Sequence, residues 1–417
     1  MTNVEKATMK VSSPRNLHVA HKGRRAIVAV FAVLSAAVLS GVTVGAVAES
    51  PPPTRSHAPN ATSVVRWLVP HDQSGAPVVT SAEGSSGAGL FGISCSSATE
   101  CVAVGSDGDQ GGVASTSTDG GTTWTQGALA SGEPVLFAVD CPSTANCVAV
   151  GQGASARSTD GGATWTSSTL PTSNTTLLGV DCPNATLCVS VGVSPGNAGP
   201  YEGQLLVSSN GGTTWTVPSL PAAFGALGSI ACPSATFCVS VGASILVSND
   251  GGQTWSPRTV NGGTGVLRSV SCESATTCVA IGANPAVAQS PNAAAYEVET
   301  TDGGATWTSV TTPHGSATLS QVSCSSSACQ AAGSAYNGAA APMLLTSNGG
   351  AQWTADASVA SSLTAVNAIS CYSGTSCVFV GVGANGTTPV AVSTTNGKAS
   401  SSDSVRATVR SQKDVTR

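Results

Sequence analysis

The sequence predicts an all-β fold: a seven-bladed β-propeller of four-stranded blades, preceded by one N-terminal transmembrane or signal helix. Three observations carry this. All 14 cysteines fall into seven close pairs, apolar runs of strand length flank the pairs, and a Gly-Gly turn signature ending in Trp follows six of them. Self-similarity at a spacing of 40–52 residues between first cysteines marks one supersecondary unit per repeat. The bulk composition agrees. With 9% charged residues, 4% aromatic residues and 48 Gly, the 417-residue chain is too apolar for disorder. Its Val, Thr, Ser and Gly suit short strands and tight turns.

The chain divides into five segments. Residues 1–25 are a basic, cytoplasmic segment. Ala26 to Ala48 is an uncharged apolar stretch, long enough to span a bilayer. Lys22, Arg24 and Arg25 stand before it, so the positive-inside bias places everything after residue 48 outside the cell. Ala46-Val47-Ala48 also fits a small-residue cleavage site, so a retained anchor and a signal peptide cleaved after Ala48 are both open. Residues 49–61, with Pro51-Pro52-Pro53, read as a stiff linker. Residues 62–398 form the propeller, and the polar residues 399–417 a disordered tail.

The cysteine pairs are Cys95/Cys101, Cys141/Cys147, Cys182/Cys188, Cys232/Cys238, Cys272/Cys278, Cys324/Cys329 and Cys371/Cys377. Each pair ends one apolar run and begins another, as in Leu136 to Cys141 and Cys147 to Gly151. That layout describes a hairpin with the cysteines at its mouth, where facing residues come within disulfide reach. An even, paired set outside the cell reads as disulfides. Metal binding would need clustered ligands, and none of the five histidines lies in a cysteine loop.

The second signature runs Ser117-Thr-Asp-Gly-Gly-Thr-Thr-Trp124 and recurs five more times. Its acid or amide and its Trp are Asp119 and Trp124, Asp160 and Trp165, Asn210 and Trp215, Asp250 and Trp255, Asp302 and Trp307, and Asn348 and Trp353. Asp or Asn caps nearby backbone N–H groups, and Gly supplies positive φ. The Trp begins a strand and is large enough to fill the gap to the next unit. This pattern closely resembles the Asp-box, or BNR, repeat. The resemblance implies a structural turn between the third and fourth strands of a propeller blade. It is also similar to the repeats of sialidases and of photosystem II assembly factor-type propellers. The latter resemblance implies a non-catalytic exported propeller that binds a client membrane protein through a basic face. The seventh box, Thr394 to Ser401, has lost its Trp. Trp67, in Ser63 to Pro70, is the one Trp outside the boxes, so residues 62–70 are expected to close the ring as the last blade's fourth strand.

Catalytic sets are sparse. Residues 49–398 hold 6 Lys/Arg against 18 Asp/Glu, an acidic body unsuited to nucleic acid. A sialidase needs three converging Arg, but of Arg66, Arg157, Arg258 and Arg268 only Arg268 lies on an expected first strand. A glycosidase needs two carboxylates about 5–9.5 Å apart. Asp140 and Asp181, each just before a first cysteine in adjacent blades, are the weak candidates, against a structural role bonding loop backbone. Glu297 and Glu299 alternate on one strand and are expected to face solvent, and Asp107-Gly-Asp109 reads as a turn rather than a calcium loop. No cofactor or metal is called for. The expectation is a monomeric, exported, non-catalytic binding or scaffold module for an envelope protein or glycan. A carbohydrate-active hydrolase and a photosystem II assembly factor-like client binder are the alternatives.

Overall fold

The motif Cys-Val-x-Val-Gly sets the middle of five of the seven repeats, with Cys278-Val-Ala-Ile-Gly282 and Cys329-Gln-Ala-Ala-Gly333 in the other two. In Cys147–Gly151 every residue is buried, as in Cys238–Gly242, so these strands are covered on both faces and read as continuous apolar runs. The computed structural model describes residues 88–401 apart from short internal stretches, the longest being 284–293 and 336–343. Those residues form antiparallel sheets whose strands follow in chain order, apart from one added strand, Val260–Asn261, which runs parallel to Trp307–Gly315. The first strand of each sheet lies innermost. These are Ala88–Cys95, Leu136–Asp140, Thr176–Asp181, Leu227–Ala231, Val266–Cys272, Ala317–Ser325 and Leu363–Ser373, and each touches the next, the last returning to the first.

Seven four-stranded blades were expected, and that is corrected. Six of the sheets carry four or five strands and make complete blades; the third in chain order has only three. The cause is Pro218. Val207 and Thr216 exchange both backbone hydrogen bonds, which would begin a fourth strand. The next bonded rung lies two residues on, at Pro218, which has no N–H. In the fourth sheet Pro257 falls one residue after the Val247–Ser256 rung, between bonded positions, and Ser256–Arg258 survives as a strand.

Two further expectations change. Among the described residues there is no helix, and none long and apolar enough to cross a membrane; residues 26–48 lie outside the described residues. Residues 62–70, with Trp67, also lie outside them. The place expected for those residues is held by Lys398–Ser401, paired antiparallel with Pro389–Thr395. Asn396-Gly397, between the paired Thr395 and Lys398, is the residue pair that a two-residue hairpin favours. The fourth strand of the last sheet is therefore its own, and residues 399–401 belong to it rather than to a tail.

All seven cysteine pairs are disulfides, and no described cysteine is free. Cys95 faces Cys101, Cys272 faces Cys278, Cys324 faces Cys329 and Cys371 faces Cys377 directly in the ladder. For Cys141–Cys147, Cys182–Cys188 and Cys232–Cys238 the ladder ends one residue earlier, at Asp140, Asp181 and Ala231, and the disulfide lies just beyond its end. The cysteines stand at the hairpin mouth as expected, and the second member of each pair is also buried there. Cys101, Cys147, Cys188, Cys238, Cys278, Cys329 and Cys377 are all buried, because each begins a middle strand packed between neighbouring sheets. Only first members keep exposure: Cys95, Cys272, Cys324 and Cys371 are partly exposed.

The Asp boxes close as their chemistry demands. Asp119 Oδ1 accepts from Thr123 N at 2.7 Å and from Ser117 Oγ at 2.8 Å, while Ser117 Oγ accepts from Gly121 N at 2.8 Å. Gly120 and Gly121 take φ of 69° and 85°. The box is tied to its own cysteine loop by Gly120 N donating to Thr99 O, and the same bond recurs from Gly161, Gly211, Gly251 and Gly303. Boxes and disulfides thus share one face of the ring. The turns between second and third strands, and the connections between sheets, occupy the other.

The box Trp seals the junction with the preceding sheet. Trp124 packs with Val378, Val380 and Ala391 of the last sheet, Trp165 with Val102 and Ala114, and Trp307 with Ile245 and Val247. Trp255 does the same against Leu205.

Candidate functional site: the axial rings

Two rings of side chains run around the inner strands. The first is made by the residue before each first cysteine. Ser94 Oγ accepts from Cys141 N at 3.1 Å, and Asp140 Oδ2 from Cys182 N at 2.9 Å. Asp181 accepts from Cys232 N. Ser271, Ser323 and Ser370 accept from Cys324, Cys371 and Cys95 at 2.9, 3.0 and 2.9 Å. Each bond joins one sheet to the next, and the Ser370–Cys95 bond joins the last to the first. Ala231 has no acceptor to offer. At that junction Ser229 Oγ, two residues earlier on the same face, takes Val270 N at 3.2 Å.

Asp140 and Asp181 are therefore brought together as adjacent members of this ring. Asp140 uses both oxygens, since its Oδ1 also accepts from Ser94 Oγ at 3.1 Å. Burial raises the Asp140 pKa, opposed by the hydrogen bonds from Cys182 N, Ser94 and Cys141 N. Burial raises Asp181 well above the ordinary range, and repulsion from Asp140 adds to it, with only the Cys232 N–H opposing. Repulsion between the two carboxylates links their ionisation.

The second ring consists of β-bulges. In every inner strand the ladder skips a residue at the same level: Phe91, Phe137, Leu178, Gly228, Arg268, Ser320 and Asn367. A bulge takes a side chain out of the alternation between the two faces of a strand and re-aims it. All seven residues are partly exposed. The Phe91 and Phe137 ring centroids lie 5.8 Å apart, and Asn367 Nδ2 donates to Leu90 O, beside Phe91, at 2.8 Å across the last junction. The sequence reading missed this ring. Its signal was the glycine four residues after each second cysteine, which sits at the bulge: a Cβ on Gly151 would lie 1.9 Å from Val135 O, and one on Gly282 1.9 Å from Val266 O.

Arg268 is the cation of the bulge ring. Surrounding protein depresses its pKa by desolvation although it keeps some exposure, as befits a concave position. Arg258 instead donates to Gly304 O at 3.1 Å, in the neighbouring box. Asp107 Oδ1 accepts from Gly111 N at 2.9 Å, a turn closed on itself.

Glu297 does not face solvent as expected. It is fully buried, and Glu299 is partly buried. Neither Glu297 oxygen completes a hydrogen bond among the described residues, and neither does Trp353 Nε1. Burial raises the Glu297 pKa to about 8, with the Trp353 indole opposing and Glu299 adding repulsion. Among the described residues no group of three His, Cys, Asp or Glu could hold a metal.

Residues 246–257, in the fourth Asp box, match the BNR/Asp-box repeat family. No curated protein is similar to the chain. Among solved structures it is similar to YCF48 bound to D1 peptide, at 16% identity and a TM-score of 0.52, over 74% of this chain and 95% of that one. It is also similar to YCF48 from Cyanidioschyzon merolae, at 16% identity and a TM-score of 0.51, over 72% of this chain and 95% of that one. The GH74 xyloglucanase from Xanthomonas campestris gives 16% identity and a TM-score of 0.52, over 74% of this chain but only 52% of the enzyme. The chain thus carries the BNR/Asp-box motif on a propeller similar in fold to a peptide-bound protein and to a glycoside hydrolase alike.

Proposed function

We propose that this propeller is an exported, non-catalytic binding module of the cell envelope, contacting a protein or glycan through the face opposite its disulfides. The observation that carries this is the use of Asp140: both its oxygens are spent joining the second sheet to the first and third. A general acid or base needs an oxygen free for substrate. The box face is likewise committed to its own turns and cysteine loops, whereas the opposite face carries connections of unequal length, where binding residues of rigid scaffolds concentrate. Seven disulfides favour an oxidising compartment, outside the cytoplasm. Residues 26–48 would tether the module to the membrane if retained, or release it if cleaved after Ala48. YCF48, solved with a D1 peptide, offers a precedent for peptide binding on this fold.

A second reading, a carbohydrate-active hydrolase, draws on the coupled Asp140–Asp181 pair with its raised pKa values and on the xyloglucanase likeness of fold. A panel of chromogenic glycosides separates the two. Turnover that disappears in Asp140→Asn would establish the hydrolase; absence of turnover, with a stoichiometric envelope partner recovered on the full oxidised chain, would support the module.

A further inference from the structure

The bulge ring is unequal around its circumference. Phe91, Phe137 and Leu178 form an apolar arc over three successive sheets. After Gly228, which contributes no side chain, come Arg268, Ser320 and Asn367. The order makes one half of the ring apolar and the other polar with a single cation. A structural role alone does not call for this, since the blade-to-blade bonds are supplied by the other ring and by Asn367.

We infer that the bulge ring is a binding site for a carboxylate carried next to an apolar or aromatic side chain, with Arg268 facing the carboxylate and the Phe91–Phe137 pair receiving the apolar part. Arg268 has no acidic partner among the described residues, and a guanidinium partly withdrawn from water gains most from a bidentate oxyanion. Ser320 keeps its oxygen as an acceptor while its hydroxyl donates to Ala332 O at 3.3 Å. Asn367, its amide nitrogen used on Leu90 O, presents its amide oxygen, which suits a ligand N–H beside the carboxylate.

This ligand chemistry occurs in a free N-acylated apolar amino acid and at the carboxyl end of a peptide. The inference rests on reading the propeller as a binding module, but its test is separate. Calorimetric titration of the full, oxidised chain with N-acetyl-phenylalanine, its primary amide and acetyl-Gly-Gly-Phe reads all three. Expected is saturable one-to-one binding of the acid, at least tenfold weaker binding of the amide, and loss of that difference in Arg268→Gln but not in Arg268→Lys. Tighter binding of the tripeptide identifies a chain end as the source; binding of the single residue alone identifies a free acid. Near-ultraviolet dichroism of the tryptophans verifies that each variant is folded. Equal binding of acid and amide, no saturable binding, or an unchanged acid preference in folded Arg268→Gln would overturn the site. Envelope-partner capture without acid binding would remove the ring site and leave the module standing.

Discussion

Trp215 Nε1 donates to Ser155 Oγ at 3.0 Å across the junction between the third and second sheets. Ser155 lies three residues before its Asp-box serine, Ser158, and the equivalent residue in other sheets shares an apolar cluster with the next Trp. Ala114 clusters with Trp165, Leu205 with Trp255 and Ile245 with Trp307. Glu297 holds this position opposite Trp353. One structural slot therefore accepts a small apolar residue, a hydroxyl or a carboxyl, and its chemistry decides the strength of each junction. At Trp165 and Trp255, where the slot is apolar, the indole N–H turns to its own box glycine carbonyl at 2.9 and 2.8 Å, whereas Trp307 Nε1, opposite Ile245, completes no hydrogen bond among the described residues.

Removing the hydroxyl at the second junction leaves the buried Trp215 N–H without its acceptor. Ser155→Ala is expected to cost about 1–3 kcal/mol, and Ser155→Thr, which keeps the hydroxyl, less. Urea unfolding followed by tryptophan fluorescence measures both.

Glu297 sets a pH dependence of unusual sign for a carboxylate. Its folded pKa of about 8 lies above the ordinary 4.5, so its contribution is complete below about pH 4.5 and is lost as pH rises through 8. Between those limits the folded chain holds a proton that the unfolded chain has released, and stability falls by about 1.4 kcal/mol per pH unit for that proton. Glu297→Gln removes this slope. Asp140 and Asp181, also raised, keep the same sign in the variant. Asp302 acts in the opposite sense: hydrogen bonds from the Thr306 hydroxyl and N–H and from Thr300 hold it at about 2, so its contribution is present above its unfolded value and is lost as pH falls through 2. Thermal melts of wild type and Glu297→Gln from pH 4 to 9 test this; parallel curves would refute the assignment.

The bulge glycines tolerate no side chain. At Gly151 a Cβ would meet backbone at 1.9 Å, which no rotamer change relieves. Gly151→Ala is expected to destabilise by about 3 kcal/mol or more, while Gly132→Ala, whose Cβ meets nothing within 4 Å but whose φ is 82°, costs only about 1 kcal/mol. Paired denaturation curves decide it.

Asp140 divides structure from chemistry. Asp140→Ala leaves the Cys182 N–H unpaired at a sheet junction and is expected to cost about 1–3 kcal/mol. Asp140→Asn keeps an acceptor oxygen and should lose less. Neither should alter partner binding if the residue only joins sheets.

What the sequence made legible follows from range. The disulfides and Asp boxes rest on contacts within a few residues, and spacing alone exposes them. Arg268 on an inner strand was likewise readable from the position of Cys272. The burial of second cysteines such as Cys188, Cys329 and Cys377 was not, because it comes from the sheets packed on either side rather than from the pair's own loop. The buried state of Glu297 was hidden too, since a strand covered on both faces shows no polar side, and alternation with Glu299 carries no information about solvent. The third sheet's missing strand was written in Pro218, but only the register, with Val207 opposite Thr216, shows that this proline falls on a bonded rung. The missing Trp of the seventh box drew attention to Trp67, whereas Asn396-Gly397 already signalled a local hairpin. The bulge ring depended on glycines whose need arises from a neighbouring strand's carbonyl, a contact that spacing does not reveal.

The most direct test of the binding-module account is photo-crosslinking in native envelope with the full, oxidised chain. A photoreactive side chain would replace exposed Ala130, in the connection on the turn face, or exposed Ala305, in the fifth Asp box. A single envelope protein or glycan joined through position 130 and not through 305 is the expected result. Crosslinking through 305 alone, or glycoside turnover that vanishes in Asp140→Asn, would contradict it.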